Sequence, residues 1–161
     1  MNDPLAALRA LDAHDVRYLL IGGQAARALG SSSLTKDVDV CYDRAPDNLE
    51  RLATALKAMH ARLRGVGGEV PFVLDAPTLR NGDSFTFDTD HGALDVLATP
   101  SGTSGYDDLV RGAESFDIGG FFVNVVALDD LIRMKRAAGR PKDRIEVEVL
   151  LALRDEITET S

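Results

Sequence analysis

The chain has 161 residues, 45% of them hydrophobic and 27% charged, with a formal net charge of -8. This size and balance fit a single globular domain over residues 1–161, and no apolar run approaches the roughly 18 to 20 residues that span a bilayer. The acidic balance disfavours a broad nucleic-acid-binding face, because such faces neutralise phosphates with Lys and Arg, but it leaves room for a local basic pocket.

The first element is a helix over PLAALRALDAH, with Leu5, Leu8 and Leu11 at helical spacing and Pro4 suited to its first turn. RYLLI, Arg17 to Ile21, reads as a strand ended by Gly22 and Gly23. Gln24 to Leu29 is a short helix stopped by Gly30, and Asp37 to Tyr42 is a second strand with period-two alternation. Pro46 opens a long helix running to Leu63, with an apolar stripe of Leu49, Leu52, Leu56, Met59 and Leu63. After a glycine-rich turn, GVGGEVP, come three strand candidates, FVLDA, SFTFDT and ALDVLAT, separated by NGD and DHG turn signals. DLVRGAE is short and helical or irregular, and FFVNVVA is a further strand. LDDLIRMKRAAG is a helix ended by Gly139, and Pro141 starts the last helix. The expected fold class is α+β (α/β), a central mixed sheet of about five strands flanked by helices, with the C-terminal helices (about 128–157) packed on it.

The N-terminal segment has no basic stretch followed by an apolar block, so no secretory leader is expected. Cys41 is the single cysteine, which leaves no internal disulfide and suggests no zinc site. A reducing, cytoplasmic setting with no membrane partner is expected. His14, His60 and His91 are scattered without ligand spacing, and no Ser-His-Asp or Cys-His arrangement stands out.

The informative stretch is IGGQAARALGSSSLTKDVDV. Asp37 and Asp39 are two residues apart on one strand, so they project to the same side while Val38 and Val40 point to the other. Two like charges this close repel unless a cation lies between them, and a magnesium ion suits one or two carboxylates plus substrate phosphates. Asp95 is an isolated carboxylate in a short apolar strand and is the candidate to join them. Three carboxylates from neighbouring strands can hold one or two metal ions about 4 Å apart. The plain alternative is that Asp37 caps the strand and Asp39 faces solvent. Gly22 and Gly23 favour the functional reading, since glycines let the backbone approach a ligand and the helix starting at Gln24 offers free N–H groups to a phosphate.

This ordered set resembles the signature of the DNA polymerase β-like nucleotidyltransferases. In them a Gly-Gly or Gly-Ser turn and short helix lead to an Asp-x-Asp strand, with a third carboxylate on a later strand. The form here is most similar to small bacterial members: AbiEii/MenT-type toxins of toxin–antitoxin systems and the lincosamide and aminoglycoside nucleotidyltransferases. HGALDVLAT resembles the third-carboxylate strand, and LIRMKRAAGRPKDRIEVEVL the lysine-bearing helix that follows. The resemblance implies the nucleotidyltransferase fold, with Asp37, Asp39 and Asp95 as catalytic residues binding Mg2+ or Mn2+. It implies a nucleoside triphosphate held by Gly22, Gly23, Gln24, Lys135 and Lys142. The acceptor would be RNA, with a possible cognate antitoxin as partner, or a small molecule such as an antibiotic; a non-catalytic nucleotide-binding module is the alternative of another class. Relatives often carry an arginine shortly before the Asp-x-Asp strand, where Ser33 stands here, and Arg27 or another cation would have to substitute.

The positive charge is uneven: Arg133, Lys135, Arg136, Arg140, Lys142 and Arg144 crowd the C-terminal region. Leu128, Leu131, Ile132 and Lys135 fall at i, i+3, i+4 and i+7, so Lys135 lies on the inward stripe, either snorkelling at its edge or reaching into a site. Asp143 suits the first turn of the last helix, whereas Lys142 opposes the helix dipole there and is expected to make a ligand contact or a salt bridge.

Overall fold

The structure is a computed structural model and describes residues 2–32, 34–65 and 72–160. Helix α1 (Pro4–Ala13) leads into β1 (Tyr18–Ile21), α2 (Gly22–Ala28), β2 (Val38–Tyr42) and α3 (Pro46–Ala58). A two-residue strand, β3 (Arg62–Leu63), precedes α4 (Ala76–Asn81), β4 (Ser84–Thr89) and β5 (Gly92–Leu97). Then come α5 (Tyr106–Leu109) with a 3-10 turn at Val110–Gly112, β6 (Glu114–Ile118), β7 (Phe121–Val125), α6 (Leu128–Ala138) and α7 (Pro141–Thr160).

Among the described residues the strands form one mixed seven-stranded sheet in the order β3-β4-β5-β2-β1-β7-β6. The central strands are apolar almost throughout: Tyr18 to Ile21 are all buried, as are Val38, Val40, Cys41 and Tyr42. β1 runs antiparallel to β2, and β2 runs parallel to β5. Helix α1 packs on α3 and α3 on α4, and the Tyr42 hydroxyl donates to the Leu79 carbonyl of α4. Helices α6 and α7 pack on each other, and α2 contacts α6. The β4 strand alternates, with Phe87 buried and Ser84, Thr86 and Asp88 exposed, and Phe72, Phe85 and Phe87 cluster on the inner side.

A buried asparagine ties the sheet to α3. Asn48 is 0% exposed; its Oδ1 accepts from the Arg17 N–H at 2.7 Å, and its Nδ2 donates to the carbonyls of Arg17 (3.0 Å) and Asp43 (2.7 Å). Every polar atom of that side chain is thus paired with backbone, and the Arg17 carbonyl accepts from the Asp43 N–H as well.

The mixed sheet matches expectation, but its composition differs. FVLDA is not a strand: residues 72–74 are irregular, and the Asp75 carboxylate caps α4 by accepting from the Thr78 N–H at 2.9 Å. Helix α3 stops at Ala58, well short of Leu63, because His60 adopts a left-handed conformation at φ 53°. The Ala61 N–H then reaches back to the Leu56 carbonyl and the His60 N–H to that of Lys57, which is a Schellman closure. The residues released from the helix make β3. Strand β6 was not expected; it forms a hairpin with β7 through Gly119 and Gly120, both at positive φ. Most of the glycine-rich turn and Ser33 lie outside the described residues.

Candidate active site

The register of the sheet decides which carboxylates meet. Asp39 in β2 is the Cα partner of Asp95 in the parallel neighbour β5, so both side chains leave the same face at the same level. Their carboxyl groups are close enough to act on each other. Burial, then the hydrogen bond and charge of Asp95, then the charge of Asp37 push the Asp39 carboxyl up to about 7, and the charge of Lys135 partly opposes this. The Asp39 carboxyl is therefore part-protonated at neutral pH.

Gly22 follows β1 with φ +68°, and a Cβ built on it would fall onto Asp39 Oδ2. A Cβ on Gly23 would lie 2.7 Å from Thr35 Oγ1. The glycine pair is thus required both by the backbone conformation at Gly22 and by close approach of the Asp39 strand and the loop before it. These residues border a cavity of about 230 Å³ lined by Gly22, Gly23, Thr35, Asp37, Asp39, Lys135, Lys142 and Glu146, with Ala26, Leu34, Leu131, Val149 and Leu150 as its apolar wall.

Lys135 reaches inward from α6, as its helical position predicts, and is 21% exposed. Its Nζ lies 2.5 Å from Glu146 Oε2 and 3.6 Å from Asp143 Oδ1. Asp143 is fully buried at the start of α7. It accepts from the Arg140 backbone N–H (3.1 Å), Nε (2.7 Å) and Nη2 (3.2 Å), which holds its carboxyl below the usual range. Asp143 therefore caps α7 and anchors the lysine of α6 at once.

Two expected members stand elsewhere. Gln24 lines a different cavity, with Asp3, Leu5, Leu8 and Arg27, because α2 begins at Gly22 and by its third residue the helix has turned Gln24 away. Arg27 shares that other cavity and does not replace the arginine missing near Ser33. The arginine at the site is Arg64. Its Nη2 donates to Asp95 Oδ1 at 3.0 Å and to the Phe87 carbonyl at 3.1 Å, and its Nε pairs with Asp88 at 3.3 Å. Only the pairing of β3 with β4 brings it there, and nothing in the sequence distinguishes it from the chain's other cations.

Asp39 and Asp95 are a hard-oxygen pair at one level of the sheet, and the crowding of negative charge that raises the Asp39 carboxyl is what a divalent ion would relieve. The third expected carboxylate, Asp37, stands outside the register pair. Asp37 precedes β2, is exposed at the cavity rim and acts on Asp39 through charge. No group of three or more His, Cys, Asp or Glu side chains among the described residues is gathered closely enough to hold a metal ion.

No family model matches the sequence, and no curated protein does. Solved structures do match. The lincosamide antibiotic adenylyltransferase LnuA, with lincomycin bound, aligns over 95% of this chain and 99% of its own with a TM-score of 0.62 at 13% identity. The antibiotic-resistance factor ANT(2'')-Ia, in complex with adenylyl-2''-tobramycin, covers 94% of each chain with a TM-score of 0.53 at 18% identity. TM1012 from Thermotoga maritima, a candidate nucleotidyltransferase, covers 99% of this chain and 96% of its own with a TM-score of 0.53 at 14% identity.

The chain has the nucleotidyltransferase fold. Helices on both sides of a mixed sheet, and near-complete coverage in both directions, make this a likeness of the whole described chain rather than of one motif. No helix among the described residues is long and apolar enough to cross a membrane.

Proposed function

We propose that the chain is a metal-dependent nucleotidyltransferase that moves a nucleoside monophosphate from a nucleoside triphosphate to a hydroxyl on a small-molecule acceptor. The observation that carries this reading is the register pairing of Asp39 with Asp95 beside a cavity closed by Gly22, Gly23 and Lys135. Asp39 and Asp95 would hold a magnesium or manganese ion, which when bound offsets charge on the phosphoryl oxygens. Gly22 and Gly23 give the nucleotide close access to the backbone, and Lys135, with Lys142 at the rim, balances triphosphate charge. Asp95, held by Arg64, accepts the proton of the attacking hydroxyl. The new oxygen–phosphorus bond forms at the α-phosphate as the bond to pyrophosphate breaks.

A small-molecule acceptor is supported by the matching structures, one bound to lincomycin and one holding an adenylylated tobramycin. The net charge of -8 argues in the same direction, because an RNA acceptor would meet an acidic surface. The test is a transfer screen with each α-labelled nucleoside triphosphate, magnesium or manganese, and fractionated extract or an antibiotic panel, with Asp39→Asn alongside. Label entering a small molecule, and lost in the variant, is the expected result. Label entering RNA overturns the acceptor class, and transfer undiminished in Asp39→Asn overturns the site.

A further inference from the structure

Glu146 is an acidic residue in a cavity read as a triphosphate site. It lies one turn beyond Lys142 on α7, lines the same cavity as Lys142 and the glycine pair, and places Oε2 2.5 Å from Lys135 Nζ. The second carboxylate near Lys135, Asp143, is committed to Arg140 and to the α7 cap and is fully buried. Glu146 has no such commitment. Its side chain is 47% exposed, and Lys135 is its one ion-pair partner among the described residues.

We propose that Glu146 is a place-holding anion that tunes the pocket to highly charged ligands, an inference that rests on reading this cavity as the nucleotide site. Asp143 is shared with Arg140, so Glu146 supplies the nearer part of the charge that balances the half-buried Lys135 ammonium group. A half-exposed ion pair is weak and gives way to a ligand bearing several negative charges. Asp143 lies 3.6 Å from Lys135 as well, so displacement of Glu146 leaves the lysine a second carboxylate. A ligand that does not reach Lys135 leaves the Glu146 contact intact and gains nothing from its removal. Glu146 is therefore a specificity-determining residue: removing its charge strengthens binding of the triphosphate and leaves the monophosphate unaffected.

The test is calorimetric titration of the full chain, wild type and Glu146→Gln, with the α,β-methylene analogue of ATP and with AMP, in magnesium buffer without acceptor. Glu146→Ala serves as a second variant, and thermal unfolding checks that each is folded. The expected result is about fivefold tighter binding of the triphosphate analogue in both variants, the scale of one exposed ion pair, with AMP affinity unchanged. Unchanged or weaker triphosphate binding in the variants, with measurable binding by wild type, overturns the role of Glu146 alone. Equal tightening for both ligands overturns the charge selectivity. Absence of binding by all three proteins overturns the nucleotide-site reading on which the inference rests.

Discussion

Replacing Asp39 with Asn separates the cost of the carboxylate pair from its use. Asp39 moves from the ordinary 3.8 in the unfolded chain to about 7 in the folded one. The folded state thus binds the extra proton, and stability present below about pH 4 is lost as the pH rises through about 7. At about 1.4 kcal/mol per pH unit this span has an upper bound near 4 kcal/mol, and because Asp39 stays partly open to solvent about 2 kcal/mol is the expected loss. The amide introduced by Asp39→Asn is neutral at every pH and can donate to Asp95 as the protonated acid does. In chelator at pH 8, Asp39→Asn should therefore be more stable than wild type by about 2 kcal/mol, or roughly 4–8 °C in Tm for a chain of this size. At pH 5 only about a third of that span has been crossed, because the unfolded carboxylate is already ionised there, so the difference should shrink to roughly 0.7 kcal/mol, about 1–3 °C. Circular dichroism melts at the two pH values measure this directly. Manganese should raise the wild-type Tm at pH 8 and leave the variant nearly unmoved. The same stability difference at both pH values, or a variant less stable at pH 8, would refute the upward shift of the Asp39 carboxyl in the folded chain.

Two further substitutions test the scaffold around the site. Gly22→Ala combines a left-handed backbone with a methyl group placed on Asp39 Oδ2; it should cost about 1–3 kcal/mol in urea denaturation and weaken manganese binding in the folded protein. Asn48→Ala leaves the Arg17 N–H and the Asp43 carbonyl without the Asn48 side chain, while the Arg17 carbonyl keeps the Asp43 N–H, and should cost about 1–3 kcal/mol by urea denaturation, with nucleotide affinity of the folded fraction unchanged.

The five strands whose residues alternate or run apolar, β1, β2, β4, β5 and β7, were legible from periodicity and turn residues alone. So was the placement of Lys135, because a helix with period 3.6 puts residue i+7 on the stripe of i, i+3 and i+4. The elements that were missed had weaker local signals. Glu114–Ile118 carries three polar residues in five and becomes a strand by pairing with Phe121–Val125, although the Gly119–Gly120 turn was a usable sign of that hairpin. The end of α3 rests on a left-handed histidine, where sequence rules look for glycine or asparagine.

For the candidate site, the glycine pair, the Asp-x-Asp strand and the isolated Asp95 were readable in the sequence, since each departs from what its own element needs for packing. The sequence did not determine which of the carboxylates meet. Asp37 and Asp39 share a strand face by spacing, yet the closest partner of Asp39 is Asp95, 56 positions away, because parallel pairing of β2 with β5 puts them in register. The same holds for Arg64 on Asp95, for Glu146 on Lys135, and for Gln24 turned to the other cavity. Local propensity fixes which way a side chain points along its own strand or helix. Contact between distant segments depends on strand register and helix packing, which the whole core decides together, and that is where the tertiary structure was needed.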